Sequence, residues 1–201
     1  MRLIQNYQEK VNDLRNSGFN VRIEHYFQRG FELFRKRADL FLIYTALYLL
    51  VMPFGGFIVS APLTAGFFIA AHRLNRMRSL TIDHFFEGFQ QFLPLLLFTL
   101  ISGLILFVAY LALIVPGIYL TVAYTFALPF IIFGRTDFRE AMELSRRLIS
   151  REWISFLVLL IVVAAINILG ALAFGVGLLF SIPISYCALY VAFDEIAGIS
   201  D

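Results

Sequence analysis

The chain has 201 residues, of which 60% are AVILMFWYC and only 15% are charged, and its mean hydropathy is +0.82. Soluble domains hold about 45–50% apolar and about 25% charged residues, so the composition excludes a disordered chain, a collagen-like chain and an ordinary water-soluble globule. The lone cysteine, Cys187, excludes an intrachain disulfide framework and a Cys-based zinc cluster, and a net charge of +2 gives no global pull toward nucleic acid.

Residues 1–37 are polar and lack the apolar core of a signal peptide. They read instead as cytoplasmic amphipathic helices. Ile4, Tyr7, Val11 and Leu14 fall at helical spacing, Ser17-Gly18 breaks the run, and Ile23, Tyr26, Phe27, Phe31 and Phe34 form a second stripe.

Residues 40–71, 88–134 and 153–193 contain no Asp, Glu, Lys or Arg. A hydrocarbon core of about 30 Å needs ~20 apolar residues per helix, so the two longer stretches suit two helices each. Breakers lie where the turns belong: Pro116-Gly117 in one, Gly170 and Gly175-Val176-Gly177 in the other. The first stretch breaks at Pro53-Phe54-Gly55-Gly56. It is short for two full spans, which leaves a re-entrant pair open there, although two spans starting near Arg37 fit better. The expected helices are 38–53, 57–73, 91–114, 117–134, 152–173 and 176–193, making an all-α, six-helix transmembrane domain over 38–193 built as three hairpins. Backbone groups cannot stay unpaired in lipid, which leaves helices as the spanning element.

Charged segments separate the hairpins. Ile82, Phe85, Phe86 and Phe89 form an amphipathic stripe after a Thr81 or Ser79 N-cap, and Phe138, Ala141, Met142, Ser145, Leu148 and Ile149 form another. Such helices belong in the interface, with the apolar side toward the acyl chains or the bundle. All 16 Lys and Arg lie outside the expected spans or at their edges: in 1–37, at Arg73, Arg76 and Arg78, and at Arg135, Arg139, Arg146, Arg147 and Arg151. With six spans these segments and the 194–201 tail share one side, which the positive-inside rule makes the cytoplasm.

A unit of about 60 residues recurs three times. Ile23-Glu24-His25-Tyr26-Phe27 matches Ile82-Asp83-His84-Phe85-Phe86. Gly56, Ser60 and Pro62 match Gly177, Ser181 and Pro183, and Gly117 with Thr121 supplies the middle unit. Two-span units keep one orientation, so the repeats are parallel about the membrane normal.

Taken in order, Ala61-Pro62-Leu63-Thr64-Ala65-Gly66, Phe85-Phe86-Glu87-Gly88-Phe89, Pro116-Gly117-Ile118, Glu140-Ala141-Met142-Glu143-Leu144-Ser145-Arg146 and Gly175-Val176-Gly177 resemble a bacterial family of polytopic membrane proteins without an assigned function. That family is similar to the membrane domain attached to some glycerophosphoryl diester phosphodiesterases. The resemblance spans about residues 35–195. It implies a cytoplasmic (inner) membrane protein of about six helices and carries over no catalytic residues. The resemblance does not extend to the catalytic domain of those phosphodiesterases, so no such activity is expected of these 201 residues.

Chemistry is sparse. His25, His72 and His84 have no ligand spacing, Glu24-His25 and Asp83-His84 fall on different helix faces, and no metal-protease motif, phosphate loop or nucleophile elbow occurs. No ionisable group lies at the centre of a span, which argues against an ion-coupled transporter. The expectation is therefore a non-enzyme without metal, cofactor or nucleic-acid partner. It would organise lipid or protein partners at the cytoplasmic face, with a homo-oligomer or membrane-protein partner open. The alternative is a channel or carrier for a neutral or amphiphilic molecule. Candidate lipid or anion sites are Ser60, Thr121 and Ser181, one turn beyond Gly56, Gly117 and Gly177, together with Arg35-Lys36-Arg37. Asn167, Tyr124 and Tyr186 form a candidate polar pocket, and Trp153 reads as an interface anchor.

Overall fold

The computed structural model describes residues 2–173 and 175–198, and all the regular structure in them is helical. In chain order the helices are α1 (Arg2–Ser17), α2 (Ile23–Lys36), α3 (Ala38–Asn75), a 3-10 helix (Ile82–Gln91), α4 (Phe92–Ala112), α5 (Ile114–Ala123), α6 (Ala127–Gly134), α7 (Phe138–Ile149), a one-turn 3-10 helix (Ser150–Glu152), α8 (Trp153–Leu172) and α9 (Leu178–Ala197). Five stretches are long and apolar enough to cross a membrane: Ala38–Gly56, Ile82–Ala112, Ile114–Gly134, Phe138–Leu172 and Leu178–Ala197.

Helix α3 runs for 38 residues through Pro53 and Pro62. It is not straight. The Tyr44 hydroxyl donates to the Leu63 carbonyl at 2.7 Å, and the Tyr44 and Tyr48 rings meet the Phe67 ring at 4.9 and 5.4 Å between centroids. Nineteen residues of straight helix would separate Tyr44 from Leu63 by about 28 Å. The chain therefore folds back between them, where Pro53 removes a backbone donor and Gly55-Gly56 follows. The expected turn exists, but as a bend inside helical backbone. The returning arm carries Ser60, Thr64, His72, Arg73 and Asn75, and it is not among the five apolar stretches.

Burial sorts the helices into two layers. The 38–53 arm, α4 and α8 expose large apolar side chains, including Ile43, Leu50, Leu104, Phe107, Ile161 and Leu169. The returning arm of α3, α6 and α9 are largely buried. These inner helices meet through aromatic rings: Phe67 stacks on Tyr186 at 5.0 Å, His72 lies 4.9 Å from Phe133, and Phe130 meets Phe193 edge-on at 5.0 Å. Such pairs add about 0.5–1.5 kcal/mol each beyond the area they bury.

Helix α2, the 3-10 helix and α7 run lengthwise along the inner helices and bury Tyr26, Leu33, Phe34, Phe85, Met142 and Leu148 against them, while Phe31, Phe86 and Phe89 stay exposed. Helix α2 lies antiparallel to α9: Arg22 and His25 bond Glu195 at 3.1 and 2.8 Å, and Gly30 lies so close that an added Cβ would sit 2.6 Å from the Ala188 nitrogen. The 3-10 helix lies along the returning arm of α3, with Phe85 at Gly66 and Gly88 against Pro62 and Ala65. A side chain at either glycine would strike backbone, so only glycine lets the two chains touch there. Helix α7 follows α6 and α5 back: the Thr136 hydroxyl donates to Phe130 O at 3.0 Å, and Ser145 reaches Ala123.

Several boundaries differ from those expected. The helix expected at 117–134 starts at Ile114, so Pro116-Gly117 lie in the first turn of α5 and not in the turn before it, and it is interrupted at residues 124–126; α9 starts at Leu178 and runs past residue 193 to Ala197. The extra turn of α9 is held by its partners, because Asp194 accepts from Asn75 Nδ2 at 2.8 Å and Glu195 from Arg22.

Candidate functional site

The Thr121 and Ser181 hydroxyls bond within their own hairpins. Thr121 donates to Gly117 O at 2.9 Å and lies 2.9 Å from the Tyr110 hydroxyl of α4. Ser181 donates to Asn167 Oδ1 of α8 at 2.9 Å. An added Cβ on Gly177 would lie 2.6 Å from the Gly170 Cα, so Gly170 and Gly177 are the contact that closes the α8–α9 turn. Gly175 in that turn takes a φ of +76°, which glycine adopts without strain. Ser60 is half-buried in the returning arm of α3.

Asn167 binds α8 to α9. Its Nδ2 donates to Val163 O at 2.8 Å and to Ser185 Oγ at 2.9 Å, while its Oδ1 accepts from Ser181. One amide thus satisfies two serines one helical turn apart. Asn167 and Tyr186 line one cavity of about 230 Å³, with Tyr48, Val163, Ile182 and Ser185. Tyr124 is elsewhere. It lines a separate cavity of about 310 Å³ with Ile101 and Ile105 of α4 and Arg139, Met142 and Arg146 of α7. The three residues expected in one polar pocket therefore belong to two.

The basic cluster is partly engaged by backbone. Lys36 Nζ donates to Leu74 O at 3.3 Å, at the C-terminal end of α3, where a cation suits the helix dipole. Arg37 donates to Leu80 O at 2.8 Å and pairs with Asp39 at 3.1 Å, which raises its pKa further. Arg35 stays exposed, 5.8 Å over the Phe31 ring. Trp153 packs on Tyr119, its Nε1 donating to Tyr119 O at 3.4 Å.

The histidines find partners that spacing did not reveal. His25 meets Glu195, 170 residues away, His72 lies 3.2 Å from the Tyr190 hydroxyl, and Thr81 N–H donates to His84 Nδ1 at 3.0 Å as the start of the 3-10 helix. Among the described residues no group of three His, Cys, Asp or Glu side chains could hold a metal. Cys187 is buried on α9.

Ser145, which links α7 to the break before α6, and Arg139, Glu143 and Arg146, which line the α4–α7 cavity, are not among the sites expected from the sequence. Glu143 accepts from Arg146 Nε and Nη2 at 2.9 and 2.8 Å and from Arg147 Nε at 2.7 Å. The i, i+3 and i, i+4 spacing of these charges was the available signal. Compared with known proteins, the chain matches no family model, no curated protein and no solved structure.

Proposed function

We propose that this is a multi-pass protein of the bacterial cytoplasmic membrane that organises lipid or protein partners at its cytoplasmic face and catalyses no reaction. The observation that carries the reading is the packing of the inner helices. The inner helices touch one another through the rings of Phe67, Tyr186, His72, Phe133 and Phe193. Ring-to-ring packing between the inner helices suits a scaffold and works against a conduit.

The reading includes six crossings as three hairpins with both termini cytoplasmic. The fold-back of α3 supports the sixth crossing, and the basic segments support the orientation. A threefold repeat is supported by the order of packing. Each amphipathic element lies on an inner helix of another hairpin: the 3-10 helix on α3, α7 on α5 and α6, and α2 on α9. The bacterial assignment rests on the motif resemblance alone.

The alternative of a carrier for a neutral amphiphile is favoured by one feature, the Asn167–Tyr186 cavity beside Tyr48. Vesicles containing the purified protein distinguish the readings. Glycerol permeability equal to that of protein-free vesicles, with anionic lipid enriched in the protein's annulus, is expected. Raised permeability without such enrichment would replace the scaffold by the carrier.

A further inference from the structure

We propose that the cavity between α4 and α7 seats the phosphate of an anionic phospholipid. This deepens, and rests on, the membrane reading above. The cavity is about 310 Å³, roughly ten times the ~30 Å³ share of one liquid water. That holds a headgroup and not a whole lipid, whose chains must run out along the helices. The wall supports this: Ile101 and Ile105 stand one turn apart on α4, and Phe138 and Met142 face them from α7.

The rim has a free cation and a free donor. Arg139 is exposed, has no carboxylate within ion-pair distance among the described residues, and lies 5.6 Å over the Phe138 ring. Tyr124 lines the cavity, and its hydroxyl hydrogen-bonds no described residue. The one acidic side chain in the lining, Glu143, is engaged by Arg146 and Arg147. Two guanidinium groups therefore face one already-compensated carboxylate.

Guanidinium binds phosphate oxygens through charge-assisted pairs, and a phenol supplies a further donor. A soluble anion would gain nothing from the isoleucine wall, whereas a lipid gains from both surfaces. The surplus positive charge disfavours a choline headgroup, which selects an anionic lipid over a zwitterionic one.

The test uses the full chain in nanodiscs of phosphatidylcholine with a minor fraction of phosphatidylglycerol, with retained lipid read by native mass spectrometry. The parent should retain phosphatidylglycerol preferentially. Arg139→Gln with Tyr124→Phe should lower that retention about tenfold, the scale of one lost charge-assisted bond. Arg139→Lys should fall between, because lysine keeps the charge and loses the fork. Arg29→Gln, which removes an exposed guanidinium on α2, should change nothing. Equal unfolding temperatures across the set establish that every variant folds. Unchanged retention in the double variant overturns the seat and leaves the broader reading standing. Displacement of the lipid by inorganic phosphate overturns the lipid assignment in favour of a soluble anion. A parent with no preference for the anionic lipid overturns the seat together with the lipid half of the proposed function.

Discussion

The Ser145 hydroxyl of α7 stands in the backbone gap beside Phe126. It accepts from the Phe126 N–H at 3.1 Å and donates to the Ala123 carbonyl at 2.6 Å, and Ser145 is fully buried. In an uninterrupted helix that N–H would reach Val122 O, which instead accepts from the Thr125 hydroxyl at 2.7 Å. A side chain inserted into the ladder is a recognised cause of a break, and it explains why 114–134 is two helices.

Ser145→Ala should therefore orphan a buried donor and a buried acceptor. At about 1–3 kcal/mol for each unsatisfied group, a loss of ~2 kcal/mol or more is expected, measured by denaturant titration in mixed micelles. Unchanged stability would mean that the ladder re-forms and that Ser145 is not the cause of the break.

The spans were legible because hydropathy is a local property. Residues 91–114 and 152–173 were expected, and α4 and α8 occupy Phe92–Ala112 and Trp153–Leu172. The break at Phe126 was not legible, because its cause lies on another helix. Ser145 read as one more member of an amphipathic stripe, and a stripe records that a face is covered without saying by what. For the same reason His25 gave no hint of Glu195, and the two candidate pockets were merged into one.

Close approach at the glycine seams predicts a graded substitution series. Gly30→Leu should cost about 1–3 kcal/mol by overpacking against the Ala188 backbone, and Gly88→Leu a similar amount against Pro62. At Gly55 the nearest neighbour of an added Cβ is Val59 at 3.8 Å, so Gly55→Leu should be tolerated. Thermal unfolding in detergent reads the series. Equal tolerance at all three positions would remove the seams as packing contacts.

The Asn167 bridge predicts a measurable coupling. A double-mutant cycle of Asn167→Ala and Ser185→Ala should return an interaction energy near 0.6 kcal/mol, the average for polar contacts between membrane helices. Ser181→Ala should couple to the same asparagine, because Ser181 occupies its other end. A cycle energy indistinguishable from zero for both serines would mean that the bundle holds α8 on α9 without them.

The last prediction concerns α3. As a straight rod its 38 residues would extend about 57 Å, nearly twice a hydrocarbon core of about 30 Å. Folded back at Pro53–Gly56, the arms 38–52 and 57–75 are about 23 and about 28 Å long, close to the thickness of the core. Phe54 stands at the bend and is 89% exposed, while Val115 and Val176 stand exposed at the starts of the other two returning segments. In a Cys187→Ser background, cysteines replacing Phe54, Val115 and Val176 one at a time should all react with an impermeant thiol reagent added outside intact cells. A cysteine at Ser150, also exposed, should react only after the membrane is opened. If the Phe54 cysteine is protected from outside while those at Val115 and Val176 react, the first hairpin enters and leaves by the cytoplasmic side. Tyr44 and Leu63 would then close a re-entrant loop, and the chain would cross the membrane four times.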